Sequence, residues 1–241
     1  MNITTILNAY KRPDVIKKQL ESIENQSIKS KDILIWQNSG SYFEPSVLSK
    51  YTYAKCNNNL GVWARFALAL NAKTEYVCIF DDDTIPGKLW YENCLFSNKL
   101  EEGLYGTIGL KFESISGYWP HRAFGWRHPN EDIEQVDIVG HSWFFKRDWL
   151  SYFWAELPDI SQNMIVGEDI HFSYALQKYG NINTYVPPHP KNNTELWGSI
   201  PTYGYKYGGG KEAISSNKNN LDEMNYTLQK YISKGFKIIN E

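Results

Sequence analysis

Between Ile3 and Phe80 the chain alternates strand-like and helix-like patterns, and that alternation limits the folds open to it. "ITTILNAY" (Ile3–Tyr10) is rich in β-branched residues, as strands are. Pro13 stands where a helix opens, with Asp14 placed to complement the positive end of its dipole. Ile16, Leu20 and Ile23 then fall on one apolar stripe. "DILIWQNSG" (Asp32–Gly40) and "YTYAKC" (Tyr51–Cys56) predict a second and a third strand. "GVWARFALALNAK" (Gly61–Lys73) predicts a helix with Trp63, Phe66, Ala67 and Leu70 on one face, and "YVCIF" predicts the fourth strand. Strands and helices alternating at this spacing imply an α/β protein with a doubly wound, mostly parallel sheet. Ligands of such sheets bind beyond the carboxyl ends of the strands. Three strands deliver polar residues there: Asn8–Arg12, Gln37–Ser39 and Asp81–Asp83.

After Thr84 the pattern loosens. "KLWYENCLFSNKLEEG" reads as a helix, and "LYGTIGLKF" and "HRAFGW" as strands. "VDIVGHSWFFKRDWLSYF" (Val136–Phe153) reads as a strand running into a helix. "GEDIHFSYALQKYG" (Gly167–Gly180) predicts a helix with Phe172, Leu176 and Tyr179 as its stripe and Gly180 as its stop. "INTYVPPHP" predicts a short strand closed by prolines, "YGYKYGGGK" (Tyr203–Lys211) a flexible loop, and Leu221–Lys234 a last helix. There is no internal repeat and no clear linker. The expectation is a single domain over 1–241, with a ligand-binding half at 1–84 and an acceptor-side half at 85–241.

Bulk composition narrows the function classes. The formal net charge of −2 gives no field that would recruit nucleic acid. Nine Trp and seventeen Tyr supply a core and also suit a cleft that stacks on sugar or base rings. Cys56, Cys78 and Cys94 have no metal-ligand spacing and suit a reducing compartment. Met1 leads into "NITTILNAY" without a basic region of the signal-peptide kind, and no apolar run approaches the ~20 residues that cross a bilayer. The expectation is a cytoplasmic protein.

The chemistry lies in "FDDDT". Three adjacent aspartates ending a buried strand repel one another unless something positive joins them. Carboxylates at a strand end suit Mg²⁺ or Mn²⁺, which prefer oxygen ligands and keep water and substrate phosphate in their shell. Alternation along an extended chain lets Asp81 and Asp83 point to one side. A solvated acidic turn, or a helix cap after Pro86, is the plain alternative. Haloacid-type phosphatases use Asp-x-Asp-x-Thr, but here the Thr comes one place early and the motif is on the fourth strand, not the first. Nucleotidyltransferases carry a Gly-rich loop after strand one, and "NAYKRPD" has no Gly.

Five motifs in order point elsewhere: "YKRPDVIKKQL", "ILIWQNSG", "NLGVWARF", "FDDDT" and "VGEDIHFSYALQKYG". Together they resemble GT-A glycosyltransferases over nearly the whole chain. The chain looks like the exostosin-like glycosyltransferase domain. It is also similar to the large inverting GT-A family that includes polysaccharide synthases, in which "NxGxxxAR" and a Glu-Asp pair recur. The resemblance implies a Rossmann-like GT-A fold and transfer of a sugar from a nucleotide diphosphate sugar, UDP-linked, with Mn²⁺ or Mg²⁺. The acceptor would be a glycan, glycolipid or glycoprotein, with peripheral membrane association if it is lipid-linked.

Roles follow from that resemblance. Tyr10 and Arg12 would cradle the base and diphosphate, Asn38 would bond the base edge, and Arg65 would reach the diphosphate or sugar. Asp81 and Asp83 would bind the metal, Asp81 also the nucleotide, and Asp82 the donor sugar. Glu168 and Asp169 form the second acidic site. In the inverting relatives the Asp of this pair is the general base, whereas exostosin-like relatives retain configuration, so the two likenesses leave the stereochemistry open. The C-terminal Arg of exostosin-like members has no clear counterpart near Lys211–Asn217. Trp143 and His141 would face the acceptor, His189 would be a further metal ligand, and Lys211 would reach the phosphates from a mobile lid. Two other readings stand beside this one: a non-catalytic nucleotide-sugar or carbohydrate-binding relative of the fold, and a phosphohydrolase with Asp81 as nucleophile.

Overall fold

The computed structural model describes residues 2–39, 43, 49–157, 166–207 and 218–240. The first half follows the predicted alternation: β1 (Ile3–Ala9), α1 (Pro13–Glu24), β2 (Asp32–Asn38), β3 (Thr52–Cys56), α2 (Ala64–Ala69) and β4 (Tyr76–Phe80). The second half adds α3 (Trp90–Leu100), β5 (Gly103–Tyr105), β6 (Ile108–Phe112), β7 (His121–Gly125), β8 (Glu134–Val136), β9 (Ile138–Gly140) and β10 (Ser142–Lys146). It continues with α4 (Leu150–Phe153), α5 (Glu168–Gly180), β11 (Asn183–Val186), α6 (Pro201–Tyr207) and α7 (Lys218–Ser233).

Eight strands form one sheet in the order β3-β2-β1-β4-β10-β5-β11-β8. The pairs β2/β3, β1/β2, β1/β4 and β5/β11 are parallel, and β10 runs antiparallel to both β4 and β5. The chain winds outward from β1 to β3 and returns to β4 on the other side of β1. A crevice opens where strand order reverses in this way, and both Tyr10–Arg12 and Asp81–Asp83 lie at that end. A second sheet, β7-β6-β9, is antiparallel and flanks the first.

The main sheet is buried on both faces. In β10 the alternation puts Trp143 and Phe145 into one core with Phe66, Phe153 and Phe172, and Phe144 into the other with Trp90, Tyr91 and the α1 stripe of Ile16, Leu20 and Ile23. A third cluster packs Ile170 and Tyr174 of α5 against Leu228, Tyr231, Phe236 and Ile238. Cys78 and Cys94 are buried as small hydrophobes, and Cys56 is partly buried.

Several elements differ from expectation. The helix predicted over Gly61–Lys73 is helical only over Ala64–Ala69. Gly61 has φ +69°, which delays its start, and the Asn71 side chain bonds the Leu68 carbonyl at 3.1 Å near its end. "LYGTIGLKF" splits into β5 and β6, in different sheets. "VDIVGHSWFFK" splits likewise into β9 and β10, at His141, whose φ is +64°. β8 was not expected. Tyr203–Tyr207, read as loop, is helical, while Gly208–Lys211 lies outside the described residues. No helix among the described residues is long and apolar enough to cross a membrane.

Candidate active site

Two arginines supply the positive charge that three aspartates require. Arg12, just beyond β1, donates from Nη1 to Asp82 Oδ1 at 2.5 Å, and its Nη1 lies 3.6 Å from Asp83 Oδ2. Arg65, in the first turn of α2, donates from Nη1 to Asp81 Oδ1 and from Nη2 to Glu168 Oε1, the latter at 2.6 Å. Arg65 is only 2% exposed, and its guanidinium lies 4.5 Å from the Trp143 ring. One buried cation therefore joins the acids at the end of β4 to those at the head of α5.

Backbone geometry fixes the aspartate turn. Asp81 N–H donates to the His141 carbonyl at 2.9 Å, and Thr84 N–H to the Asp81 carbonyl at 3.2 Å. Gln19, fully buried on α1, donates from Nε2 to the carbonyls of Asp81 and Thr84 at 2.7 and 2.6 Å. Sequence reading passed over Gln19. The signal was a polar residue three places after Ile16, on the apolar stripe.

The second acid pair opens α5. Gly167, with φ +102°, precedes it, and a Cβ there would come within 2.8 Å of Thr227 Cγ2 on α7, so only glycine lets α7 approach this closely. Asp169 Oδ1 accepts from Ile170 N–H at 2.8 Å.

Loss of solvent shapes the ionisation of these groups. Burial pushes Glu168 up to about 8 against the pull of Arg65, with Asp169 and Asp81 adding repulsion. Burial likewise pushes Asp169 up to about 6 and Asp82 up to about 7, where Asp83 adds to burial and Arg12 opposes it. Asp83 is raised by burial and lowered most by nearby His141. A carboxylate near 6 is poised to accept a proton in neutral solution.

The structure thus gathers Arg12, Arg65, Asp81, Asp82, Asp83, Glu168 and Asp169, with Tyr10 half-buried at the end of β1 and the Lys11 ammonium 5.0 Å from its ring. Other expected site residues do not join them. Asn38 is buried, donates to Asn59 Oδ1 and the Gly61 carbonyl, and accepts from Leu60 N–H. Its amide pins the loop before α2 and is not offered to a base. Trp143 is 1% exposed and packs in the core, so it cannot stack on an acceptor sugar; its face carries Arg65 instead. His189 is fully buried among Trp90 and Trp197. Its Nδ1 bonds the Pro187 carbonyl and its Nε2 accepts from Gly198 N–H at 3.2 Å, leaving no lone pair for a metal. His141, expected on the acceptor side, lies beside Asp83 with its ring 5.0 Å from that of Trp126. Lys211 lies outside the described residues.

Among the described residues, no three acid, His or Cys side chains converge as a ready metal cage. Mg²⁺ and Mn²⁺ sites that use one or two carboxylates and substrate phosphates need none. The donor set fits such an ion: Asp83 has its nearest cation at 3.6 Å, and Asp81 is held through Oδ1 alone.

Comparison with known proteins identifies the family and the fold. The sequence model described as "Glycosyl transferase family 2" matches residues 4–172, a span that includes both acid sites and both arginines. No curated protein matches the chain by sequence comparison. Among solved structures, S. aureus TarS 1–349 superposes with a TM-score of 0.55 at 13% identity, covering 79% of this chain and 61% of that one. The chain therefore spans less than two thirds of that protein. The same protein in complex with UDP-GlcNAc superposes at 0.56 and 14% identity, covering 81% of this chain and 60% of that one. The mannosyltransferase PcManGT from Pyrobaculum calidifontis, in complex with GDP-Man and Mn²⁺, superposes at 0.52 and 17% identity, covering 97% of this chain and 73% of that one. These likenesses show a shared GT-A fold and do not bear on the exostosin-like resemblance. With the family match spanning well over half of its residues, the chain belongs to glycosyl transferase family 2.

Proposed function

We propose that the chain moves a sugar from a UDP-linked donor to a hydroxyl of a glycan, glycolipid or glycoprotein acceptor. The observation that carries this reading is Arg65, a buried guanidinium holding Asp81 and Glu168 together, so that a phosphate-and-metal site and a carboxylate base share one crevice. Neighbours bound to UDP-GlcNAc and to GDP-Man with Mn²⁺ support a nucleotide-sugar donor and a divalent ion. The whole chain acts as one domain in this reading, with residues 1–84 holding the donor and 85–241 the acceptor. A cytoplasmic protein docking peripherally at a membrane-borne acceptor fits it.

Asp83 and the free oxygen of Asp81 are the residues to hold Mn²⁺ or Mg²⁺. The bound ion would supply positive charge against the departing diphosphate. Arg12 orients Asp82 and contributes to the same field, and Tyr10 offers its ring to the base. Asp169, half-buried and raised to about 6, takes the proton of the acceptor hydroxyl as its oxygen attacks the anomeric carbon. Glu168, tied to Arg65, positions the start of α5. This assignment implies inversion, since a base on the acceptor side serves a single in-line displacement.

Titration calorimetry of UDP with and without Mn²⁺ tests the donor site. Metal-dependent binding that Asp83→Ala abolishes is expected, and equal binding in that variant would refute the assignment. A binding-only relative of the fold would be indifferent to Asp169→Asn. A phosphohydrolase would need Asp81 as a free nucleophile, and the Arg65 bridge disfavours that.

A further inference from the structure

The proposed chemistry uses neither the turn after β7 nor the short helix α6, yet these two meet beside His141. Gly125 and His128 exchange both backbone hydrogen bonds at 2.8 Å, so Trp126 and Arg127 form a two-residue turn. Arg127 has φ +67°. That left-handed position is ordinarily taken by glycine or asparagine, because a Cβ crowds the backbone there. Non-glycine residues held in such conformations cluster at functional sites.

The guanidinium of Arg127 lies 4.1 Å from the Trp126 ring and 5.1 Å from the Tyr205 ring. Tyr205 reaches it because α6 lies directly on Trp126: a Cβ on Gly204 would come within 2.4 Å of Trp126 Nε1. Arg127 is exposed and has no hydrogen bond or ion pair with any described residue. Two further cations without an acid partner among the described residues border the same helix, Lys18 over Tyr203 at 5.4 Å and Lys206 over Tyr207 at 5.3 Å. On the other side, Trp126 abuts His141, the neighbour of Asp83.

We propose that Arg127, framed by Trp126 and Tyr205, is a specificity residue that grips an oxyanion, phosphate or carboxylate, carried by the acceptor. This rests on the glycosyltransferase reading above. Two aromatic rings lie within 5.1 Å of an exposed guanidinium that has no acid partner among the described residues, and a guanidinium is the fork that matches an oxyanion. In the proposed reading the donor diphosphate is met by Arg12 and by the ion that Asp81 and Asp83 would hold, so it does not need Arg127. Arg127 stands beyond His141 and Trp126, just after β7 of the small sheet, in the half of the chain that the proposed reading gives to the acceptor.

The test is a ligand-observed NMR titration of the full chain with glucose 6-phosphate, glucuronate and neutral glucose, each with and without saturating UDP and Mn²⁺. UDP blocks the donor site, so anion binding that survives it belongs elsewhere. The wild-type chain is expected to bind both anions about tenfold or more tighter than glucose, the scale of a charge-assisted hydrogen bond. Arg127→Asn, which suits the backbone, is expected to erase that preference while leaving UDP affinity unchanged. Arg127→Lys keeps the charge without the fork and is expected to keep part of it, which gives a second reading if the Asn variant does not fold. Equal binding of anions and glucose by wild type, or a preference that persists in Arg127→Asn, overturns the proposal. So does a drop in UDP affinity in that variant, which would assign Arg127 to the donor diphosphate. If wild type binds neither UDP nor GDP, the donor reading falls on its own, and the nucleotide-free titrations still decide Arg127.

Discussion

The acids at the end of β4 and the acids at the head of α5 meet one guanidinium from opposite kinds of place. Asp81–Asp83 sit on a turn at the sheet rim, each side chain partly exposed, and are balanced by arginines from two elements. Glu168 is nearly closed off and begins a helix whose N-terminus favours negative charge, yet burial still drives it to about 8. In the proposed reading the rim acids receive something positive from outside and the helix acids hold or take a proton. One fold would then separate two jobs among five carboxyl groups by their exposure and partners, not by residue type.

The largest effect should come from separating the two sites by chemistry. Asp169→Asn is expected to lower transfer by about 10²–10⁴-fold, the usual worth of a positioned base, with UDP affinity intact. Loss of UDP binding in that variant would place Asp169 in the donor site and erase the distinction. Next is the shared cation. Arg65→Met leaves Asp81 and Glu168 facing each other without it, and breaking a buried pair costs about 3–5 kcal/mol. Urea unfolding should show that loss, and adding Glu168→Gln should restore part of it. If the single variant is as stable as wild type, the bridge is incidental.

Stability against pH sharpens the comparison further. Glu168 lies above its ordinary 4.5, so the folded chain holds a proton that the unfolded chain releases, and stability falls as pH rises from 4.5 through about 8. His171 and His189 are buried and pushed down to about 4 from 6.5, so stability also falls as pH drops from 6.5 through about 4. Each histidine would contribute at most about 3 kcal/mol to that acid limb. Asp82 and Asp169, raised to about 7 and about 6, add to the same alkaline limb, so melting temperature should peak where the two limbs cross, and Glu168→Gln should shrink the alkaline limb and leave the acid one unchanged. The smallest effect concerns the rim turn: Gln19→Leu removes two bonds to the carbonyls of Asp81 and Thr84 and is expected to cost about 1–3 kcal/mol. Metal-dependent UDP affinity should weaken with it, and unchanged affinity would mean that the turn holds its shape alone.

Much of this architecture could be read before any coordinates. β1, β2 and β4 announce themselves because a parallel sheet buried on both faces needs β-branched and apolar runs. The acids and both arginines stood out as motif residues. The pairing of Arg65 with Glu168 did not, because 103 residues separate them and only the packing of α2 and α5 on β10 brings them together. Trp143 misled because β10 is buried on both faces, so either side of the strand looks into a core and its ring has no cleft to line. His189 and Asn38 carry chemistry-bearing side chains that other groups already occupy, the Pro187 carbonyl and Gly198 N–H for His189 and the Asn59–Gly61 loop for Asn38. The α6 helix holds two aromatics and a glycine in its central stretch, so propensity argues against it, and it forms by docking on Trp126.

The family match stops at residue 172, four residues past the start of α5. Part of what α5 leans on lies beyond that point, Thr227 against Gly167 and Tyr231 hydrogen-bonded to His171 at 2.7 Å, beside earlier partners such as Phe153, whose carbonyl meets His171 Nε2. Residues outside the family match therefore form part of the bed under the helix that carries Glu168 and Asp169. If Asp169 is the base proposed above, α7 is a lever on its placement that sits outside the acid cluster, through the close approach of Thr227 to Gly167.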